Sequence, residues 1–289
     1  MIKKPLAIVT MVYNELQHLT VWKRHYGSQV GEQACYVLDH GSTDGSTENL
    51  GDINRVRIPR SPQDDERRAR AIGQFCASLL EWYDSVIYID VDELLVADPE
   101  RFPSLISFAQ SSFLPAVTAT GFDVIHRLGT EMALDYSQLI SLQRRHIRFS
   151  SAMCKTVLIR QPVTWAPGFH CCTEILPDPC PNLFLFHLRY ADLDSGLQRL
   201  TRTRVQPWCS DTVGQHQRLA DTDWSDMLSR MSGLSVTEGE LNESDTRFCA
   251  YRRSVQDSVS ERVNERYRLD IHINGDELCH LPERFIGRL

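Results

Sequence analysis

The chain has 289 residues, 42% of them hydrophobic, enough for one large domain or a domain with an appendage and unlike a disordered composition. A formal net charge of -7 argues against a general nucleic-acid binder, which needs a basic face, while leaving room for a local basic site that takes a phosphorylated ligand; no run approaches the roughly 20 apolar residues that span a bilayer. Nine cysteines at irregular spacings, with no C-x-x-C pair, fit reduced thiols in a cytoplasmic protein better than a disulfide framework or a zinc site.

In chain order, LAIVTMV (6–12) is a continuous apolar, β-rich run, as expected of a strand buried on both faces. The N-terminal MIKKPLAIVTMVYNE has a charged start, but its apolar stretch is too short for a secretion signal, and Pro5 interrupts the segment. Leu16, Leu19, Trp22 and Tyr26 follow at helical spacing; ACYVLD (34–39) is a second strand, HGSTDGST (40–47) a turn and RVRI (55–58) a third strand. A helix is expected next, capped by Ser61 with Pro62 in its first turn and Asp64, Asp65 and Glu66 at the positive end of its dipole. Ala69, Ile72, Cys76 and Leu79/Leu80 form its apolar stripe. SVIYI (85–89) is the most buried strand, and Asp98-Pro99 begins another helix carrying Phe102, Leu105, Ile106 and Ala109.

This alternation predicts an α/β sheet with parallel strands. After Phe113 the rhythm changes: AVTATGFDVI (116–125), CKTVLIR (154–160) and NLFLFHLR (182–189) read as strands of a mixed extension of that sheet. From about Tyr190 the pattern turns polar and helical, including RLTRTR and YRRSVQDSVSERVNERYRL. The expected division is 1–98, 99–190 and a helical extension over 191–289.

In an open α/β sheet, ligands bind beyond the carboxyl ends of the strands. Three such ends carry polar groups here: Tyr13, Asn14 and Glu15; Asp39 and His40; and Asp90, Asp92 and Glu93. In extended backbone Asp90 and Asp92 point to the same side, about 6–7 Å apart at Cα. Both can then reach one hard cation, Mg²⁺ or Mn²⁺, which is held by carboxylates together with substrate phosphates. The simpler reading is that the acids cap a following helix, but a cap needs one carboxylate rather than three converging strand ends.

MVYNE, LDHGSTDGST and YIDVDELL resemble the signatures of glycosyltransferase family 2-like enzymes of the GT-A fold, and DVDE resembles that fold's DxD metal motif. The likeness is good over 5–98, patchy over 99–190 and absent beyond. It implies a mixed, mostly parallel central sheet flanked by helices, a catalytic domain over 1–190, and transfer from a nucleotide-diphosphate sugar, UDP-linked by preference, to a saccharide or other hydroxyl acceptor. Surface polysaccharide or glycan synthesis would be the setting.

By position, the resemblance sets Tyr13 and Asn14 beside base and ribose, Glu15 as a loop holder, and Asp39 as the carboxylate receiving base or ribose. His40 stands where the family often has a second acid, which leaves the contact at the base edge open. Asp90 faces ribose and metal-bound water, Asp92 binds the metal, and Glu93 is structural. Arg67 and Arg70 reach base or phosphate, or form a solvated face paired with Asp64 and Glu66. A histidine commonly completes the metal shell of this fold, which raises His187, within an apolar run, and His170, after Pro167-Gly168. Lys155 and Arg189 are phosphate candidates, because a departing diphosphate needs charge neutralisation.

Inversion at the sugar carbon, which the resemblance implies, requires a base at the acceptor hydroxyl, for which Asp123 is the candidate and Glu174 the reserve. The tail is expected to shape the acceptor site or a homodimer contact. Two other classes compete. A haloacid-dehalogenase-like phosphatase would use Asp90 and Asp92, although Leu94 and the late position of the acids fit it poorly. A non-catalytic nucleotide-binding protein is the second.

Overall fold

The computed structural model describes residues 2–210, 214–261 and 267–289. Its first part alternates β1 (Lys4–Val12), α1 (Leu16–Val30), β2 (Cys35–Asp39), β3 (Asn54–Arg57), α2 (Asp65–Leu79) and β4 (Tyr83–Tyr88). The middle adds β5 (Glu93–Ala97), α3 (Leu105–Ser111), β6 (Ala116–Val124), β7 (His146–Phe149), β8 (Thr156–Ile159) and β9 (Pro179–His187). The last part holds α4 (Leu193–Val205), α5 (Asp221–Ser232), β10 (Val236–Thr237) and α6 (Thr246–Ser258). A small antiparallel ribbon, β11 (Ser260–Glu261) with β12 (Tyr267–Arg268), precedes β13 (Leu278–His280).

The main sheet is mixed, in the order β10-β13-β7-β6-β8-β4-β1-β2-β3. β1 pairs in parallel with both β2 and β4, and β2 in parallel with β3. Antiparallel β8 turns the sheet beyond β4, while β9 lies parallel to β6 and antiparallel to β5. Alternate residues of β1 serve opposite faces, as a strand buried on both sides must. Leu6, Ile8 and Val12 pack with Trp22 and Tyr26 of α1 and Phe108 of α3, whereas Ala7, Val9 and Met11 pack with Ala69, Ile72 and Cys76 of α2.

Several elements differ from the sequence expectation. Asp64, not Ser61, caps α2, its carboxylate accepting from the Arg67 amide at 2.9 Å. Asp98-Pro99 opens a turn, and α3 starts only after Ser104, whose hydroxyl caps it. The acids at the end of β4 precede a strand, β5, so they cap no helix. β7 is an additional strand. All nine cysteines are free thiols, five of them buried.

Residues 191–289 contain helices, yet they also supply β10 and β13, the latter paired with β7. Phe248, Leu281, Phe285 and Leu289 share one apolar cluster with Phe122, Phe184 and Phe186. Residues 262–266 of the stretch read as helical lie outside the described residues.

A buried ion pair fastens this last segment: Arg284 Nε lies 3.2 Å from Asp98 Oδ1, with only 7% and 5% of the two side chains exposed. Removing one partner leaves an uncompensated buried charge, which costs about 3–5 kcal/mol. Arg284→Ala is therefore expected to lower unfolding stability by about that amount, read as a drop in urea midpoint at unchanged slope. A loss under about 0.5 kcal/mol, the size of a surface change, would mean that the segment is not integral to the core.

Candidate active site

The chain leaves β1 towards β2 and β3 on one side and returns to β4 on the other, so the strand order reverses between β1 and β4. That reversal opens a crevice at their carboxyl ends, the place where open α/β sheets bind ligands. A cleft of about 470 Å³ lies there, lined by Tyr13, Asn14 and Glu15 after β1 and by Asp90, Asp92 and Glu93 after β4. His40, Lys155, His170, His187 and Arg189 line it too, as do Arg68, Arg199 and Arg202.

The backbone does not stay extended through the acids. Val91 and Asp92 form a turn, closed by the Glu93 amide donating to the Asp90 carbonyl at 3.1 Å. The two aspartates therefore part company, contrary to the expectation from extended geometry. Asp90 turns to α2 and β8: its Oδ1 accepts from Tyr88 Oη at 2.7 Å and from Arg68 Nη2, and its Oδ2 from Lys155 Nζ at 2.9 Å. Asp92 turns the other way, its Oδ2 meeting His187 Nε2 at 3.1 Å and Arg199 Nη1. Glu93 is buried and pairs with Lys155 Nζ at 2.6 Å.

Register explains these partners. β8 runs antiparallel to β4, with Ile87 opposite Leu158, which carries Lys155 to the end of β4. On β9, His187 stands opposite Glu93 of β5 and beside Asp123 of β6. Asp123 Oδ1 holds His187 Nδ1 at 2.8 Å, so the imidazole bridges two carboxylates. Arg199 comes from α4, its Nε also donating to Glu15 Oε1 at 2.8 Å. At Gly196, one turn earlier, a Cβ would collide with the Trp224 indole, so glycine permits α4 and α5 to approach closely.

The electrostatics follow from this pairing. Burial raises the cost of ionising Asp90, but Arg68 and Lys155 outweigh it and hold its carboxyl well below the usual range. Against the same burial, Arg199 and His187 keep Asp92 ionised, and Arg199 with His18 brings Glu15 down to about 2. Burial and neighbouring Asp90 push Glu93 upward against the pull of Lys155. For His187, burial disfavours the cation, yet Asp92 and the Asp123 hydrogen bond lift it to about 9. His40 is lowered to about 4, by burial and then by Arg60, Arg68 and Arg67.

Other expected residues lie elsewhere. Asp39 is fully buried and does not line the cleft; Ser42 N, Thr47 Oγ1 and Arg55 bond its oxygens at 2.7–3.1 Å. Asn14, at φ 55°, stitches two loops: its Oδ1 accepts from Thr43 N at 2.8 Å, and its N donates to Ser42 Oγ at 3.1 Å. Tyr13 carries Arg60 over its ring at 3.8 Å. Arg67 and Arg70 are exposed and absent from the cleft wall; Arg68, four residues before buried Ile72, has the inward phase. Asp123 stands behind His187 rather than in the cleft wall, and Glu174 is bound to Thr164 N at 2.9–3.0 Å, outside the lining. His170 lines the cleft from the Pro167–Phe169 turn.

Sequence reasoning missed Arg68, Arg199 and Arg202. The Arg68 signal was its spacing to Ile72. Arg199 and Arg202 sit in a polar helix whose contacts to Glu15 and Asp92 span 107 to 187 residues, which no local pattern records.

No protein-family model matches the chain, and no curated protein sequence matches it. Parts of it are similar in structure to parts of known glycosyltransferases. A mannosyltransferase from Pyrobaculum calidifontis, solved with GDP-Man and Mn²⁺, aligns over 55% of this chain and 45% of its own, at 11% identity and a TM-score of 0.31. The glucosyl-3-phosphoglycerate synthase of Mycobacterium tuberculosis, solved with Mn²⁺, UDP and glucosyl-3-phosphoglycerate, aligns over 42% of this chain and 44% of its own, at 20% identity and a TM-score of 0.28. A glycosyltransferase involved in glycosylating the major capsid of PBCV-1 aligns over 44% and 54%, at 15% identity and a TM-score of 0.21. The chain thus spans about half the length, or less, of the solved structures that it resembles.

Proposed function

We propose that the protein is a glycosyltransferase of GT-A type, moving a sugar from a nucleotide-diphosphate donor to an acceptor hydroxyl. One observation carries this reading: at the switch-point crevice, Asp92 and His187 bring a carboxylate oxygen and an imidazole nitrogen together, two donors for a cation once His187 gives up its Nε2 proton, beside a row of cations that suits a diphosphate. Among the described residues no three His, Cys, Asp or Glu side chains form a closed metal site. Two protein donors suit a hard cation shared with substrate phosphates, so Mn²⁺ or Mg²⁺ fits at Asp92 and His187. When bound there, such an ion supplies Lewis-acid stabilisation of the departing diphosphate.

The chain's own groups divide the remaining tasks. Asp90 keeps Arg68 and Lys155 charged and aimed along the cleft, where they can take phosphate oxygens. Tyr13 and His40 wall the end of the crevice nearest β2, which suits a base, and Asn14 fixes the loop between them. Asp39 acts through that loop, by closing the turn after β2. Asp123 orients His187 as a carboxylate orients a metal-bound imidazole, in place of the base role expected from sequence. A phosphatase reading is less well supported, because both oxygens of Asp90, its required nucleophile, are committed to Tyr88, Arg68 and Lys155.

Thermal-shift screening of UDP-, GDP- and CMP-sugars with and without Mn²⁺ is expected to reveal one donor class that raises the melting point only with metal, since a ligand selective for the folded state stabilises it. Turnover of simple phosphomonoesters without any nucleotide dependence would favour the phosphatase instead. Asp92→Asn should abolish the Mn²⁺-dependent shift while the protein remains folded by circular dichroism; UDP affinity unaltered in that variant would sink the metal assignment.

Asp123→Asn should weaken Mn²⁺ binding about 10–100-fold, the usual effect of losing a partner behind a metal-bound histidine. Loss of transfer activity with Mn²⁺ affinity intact would instead return Asp123 to the role of acceptor base.

A further inference from the structure

The oxygen of Asp92 that meets His187 is already claimed. Oδ2 accepts from Arg199 Nη1, whose own Nε is fixed to Glu15 Oε1 at 2.8 Å. One guanidinium thus ties the end of β1 to the end of β4, from a helix that is packed on Trp224 and capped by Asp192. A divalent ion on this oxygen would lie against the Arg199 guanidinium in a buried place, where like charges repel strongly. Arg199 and a divalent ion are therefore competitors for the same atom.

We infer that Arg199 is a displaceable counter-cation, which makes divalent metal and diphosphate bind as a coupled pair. The inference rests on Asp92 as a metal ligand. Metal alone must break the Arg199–Asp92 contact and leave the guanidinium with Glu15 as its remaining acid partner. A diphosphate offers that guanidinium a forked anionic partner of matching geometry, so its arrival frees Asp92 for the metal. Coupling of this kind is reciprocal: the factor by which diphosphate tightens metal binding equals the factor by which metal tightens diphosphate binding. Lys155 and Arg68 play no part in the competition, since they sit on Asp90. Arg202 is the internal comparison, a second α4 cation in the same cleft that bonds the Asn14 carbonyl at 2.7 Å and Glu15 at 3.4 Å.

The test is a Mn²⁺ titration of the full chain, first with Mn²⁺ alone and then with UDP, followed by calorimetry. Arg199→Gln is expected to bind Mn²⁺ alone at least tenfold more tightly than the unaltered protein, and the additional gain from UDP should shrink by a similar factor. Arg202→Gln removes a neighbouring charge without touching Asp92, and its Mn²⁺-alone affinity should stay within about twofold. If Arg199→Gln does not fold, Arg199→Lys serves: one ammonium cannot span Glu15 and Asp92 as the fork does, and several-fold tighter Mn²⁺ binding is expected.

No gain in a folded Arg199 variant, or an equal gain in Arg202→Gln, overturns the inference and leaves only a general charge effect. Asp92→Asn separates the two levels. If it retains Mn²⁺ affinity, the metal assignment itself fails; if it loses that affinity while Arg199 variants show no gain, only the displacement fails.

Discussion

The acidic end of β4 is tolerable only because cations from three distant segments meet it. Arg68 arrives on α2, Lys155 on the approach to β8 and Arg199 on α4, while His187 closes the circuit from β9. Burying a carboxylate without such partners costs several kcal/mol, and removing one partner of an existing pair leaves the other stranded. Each charge therefore fixes the placement of an element as well as the character of the cleft. Asp90 cannot keep its ion pairs unless α2 packs over the sheet at the end of β4 and β8 pairs beside that strand, and Asp92 cannot keep Arg199 unless the last part of the chain folds back over the rim.

Topology decides why the charges gather there and not elsewhere. Parallel strands leave their carboxyl ends, with loops and unpaired backbone, along a single edge, and reversal of strand order between β1 and β4 opens a gap in it. The antiparallel strands of the second half reach the same edge from the opposite direction. This is how Lys155, just before β8, comes to face Asp90. A mixed sheet thus delivers strand starts and strand ends to one place, which a purely parallel one could not do.

Much of this was legible locally. The apolar runs of β1, β2 and β4 and the stripe of α2 are strong because each has to satisfy two buried faces or one wide one, and the acids after β4 stood out against them. What failed was phase and distance. Arg67 and Arg70 look as basic as Arg68, but only Arg68 shares the inward face of the helix with Ile72. Asp39 looked like a ligand group because it follows a strand; its own turn and Arg55 consume its oxygens. Arg199 could not be found at all, since a polar helix carries no record of a partner 107 residues away. The final segment read as helical because its two short sheet strands have too few residues for a period to develop.

The turn at Val91–Asp92 has the largest consequence for chemistry. Had the backbone stayed extended, two carboxylates would face one point and could hold a cation between them. The turn instead sends Asp90 to Arg68 and Lys155 and leaves Asp92 with His187 and Arg199. For Asp90 to lend an oxygen to a metal it would have to give up part of its hold on Arg68 or Lys155, and Lys155 would be left with Glu93. On the proposed reading, the spacing of two acids therefore encodes a division of labour: one organises the positive charges that receive phosphate, and the other offers the single carboxylate on which a metal can compete. A seat with so few donors is weak by itself. Its strength has to come from the ligand, so that the charge meant for a departing diphosphate is assembled only when the diphosphate is present.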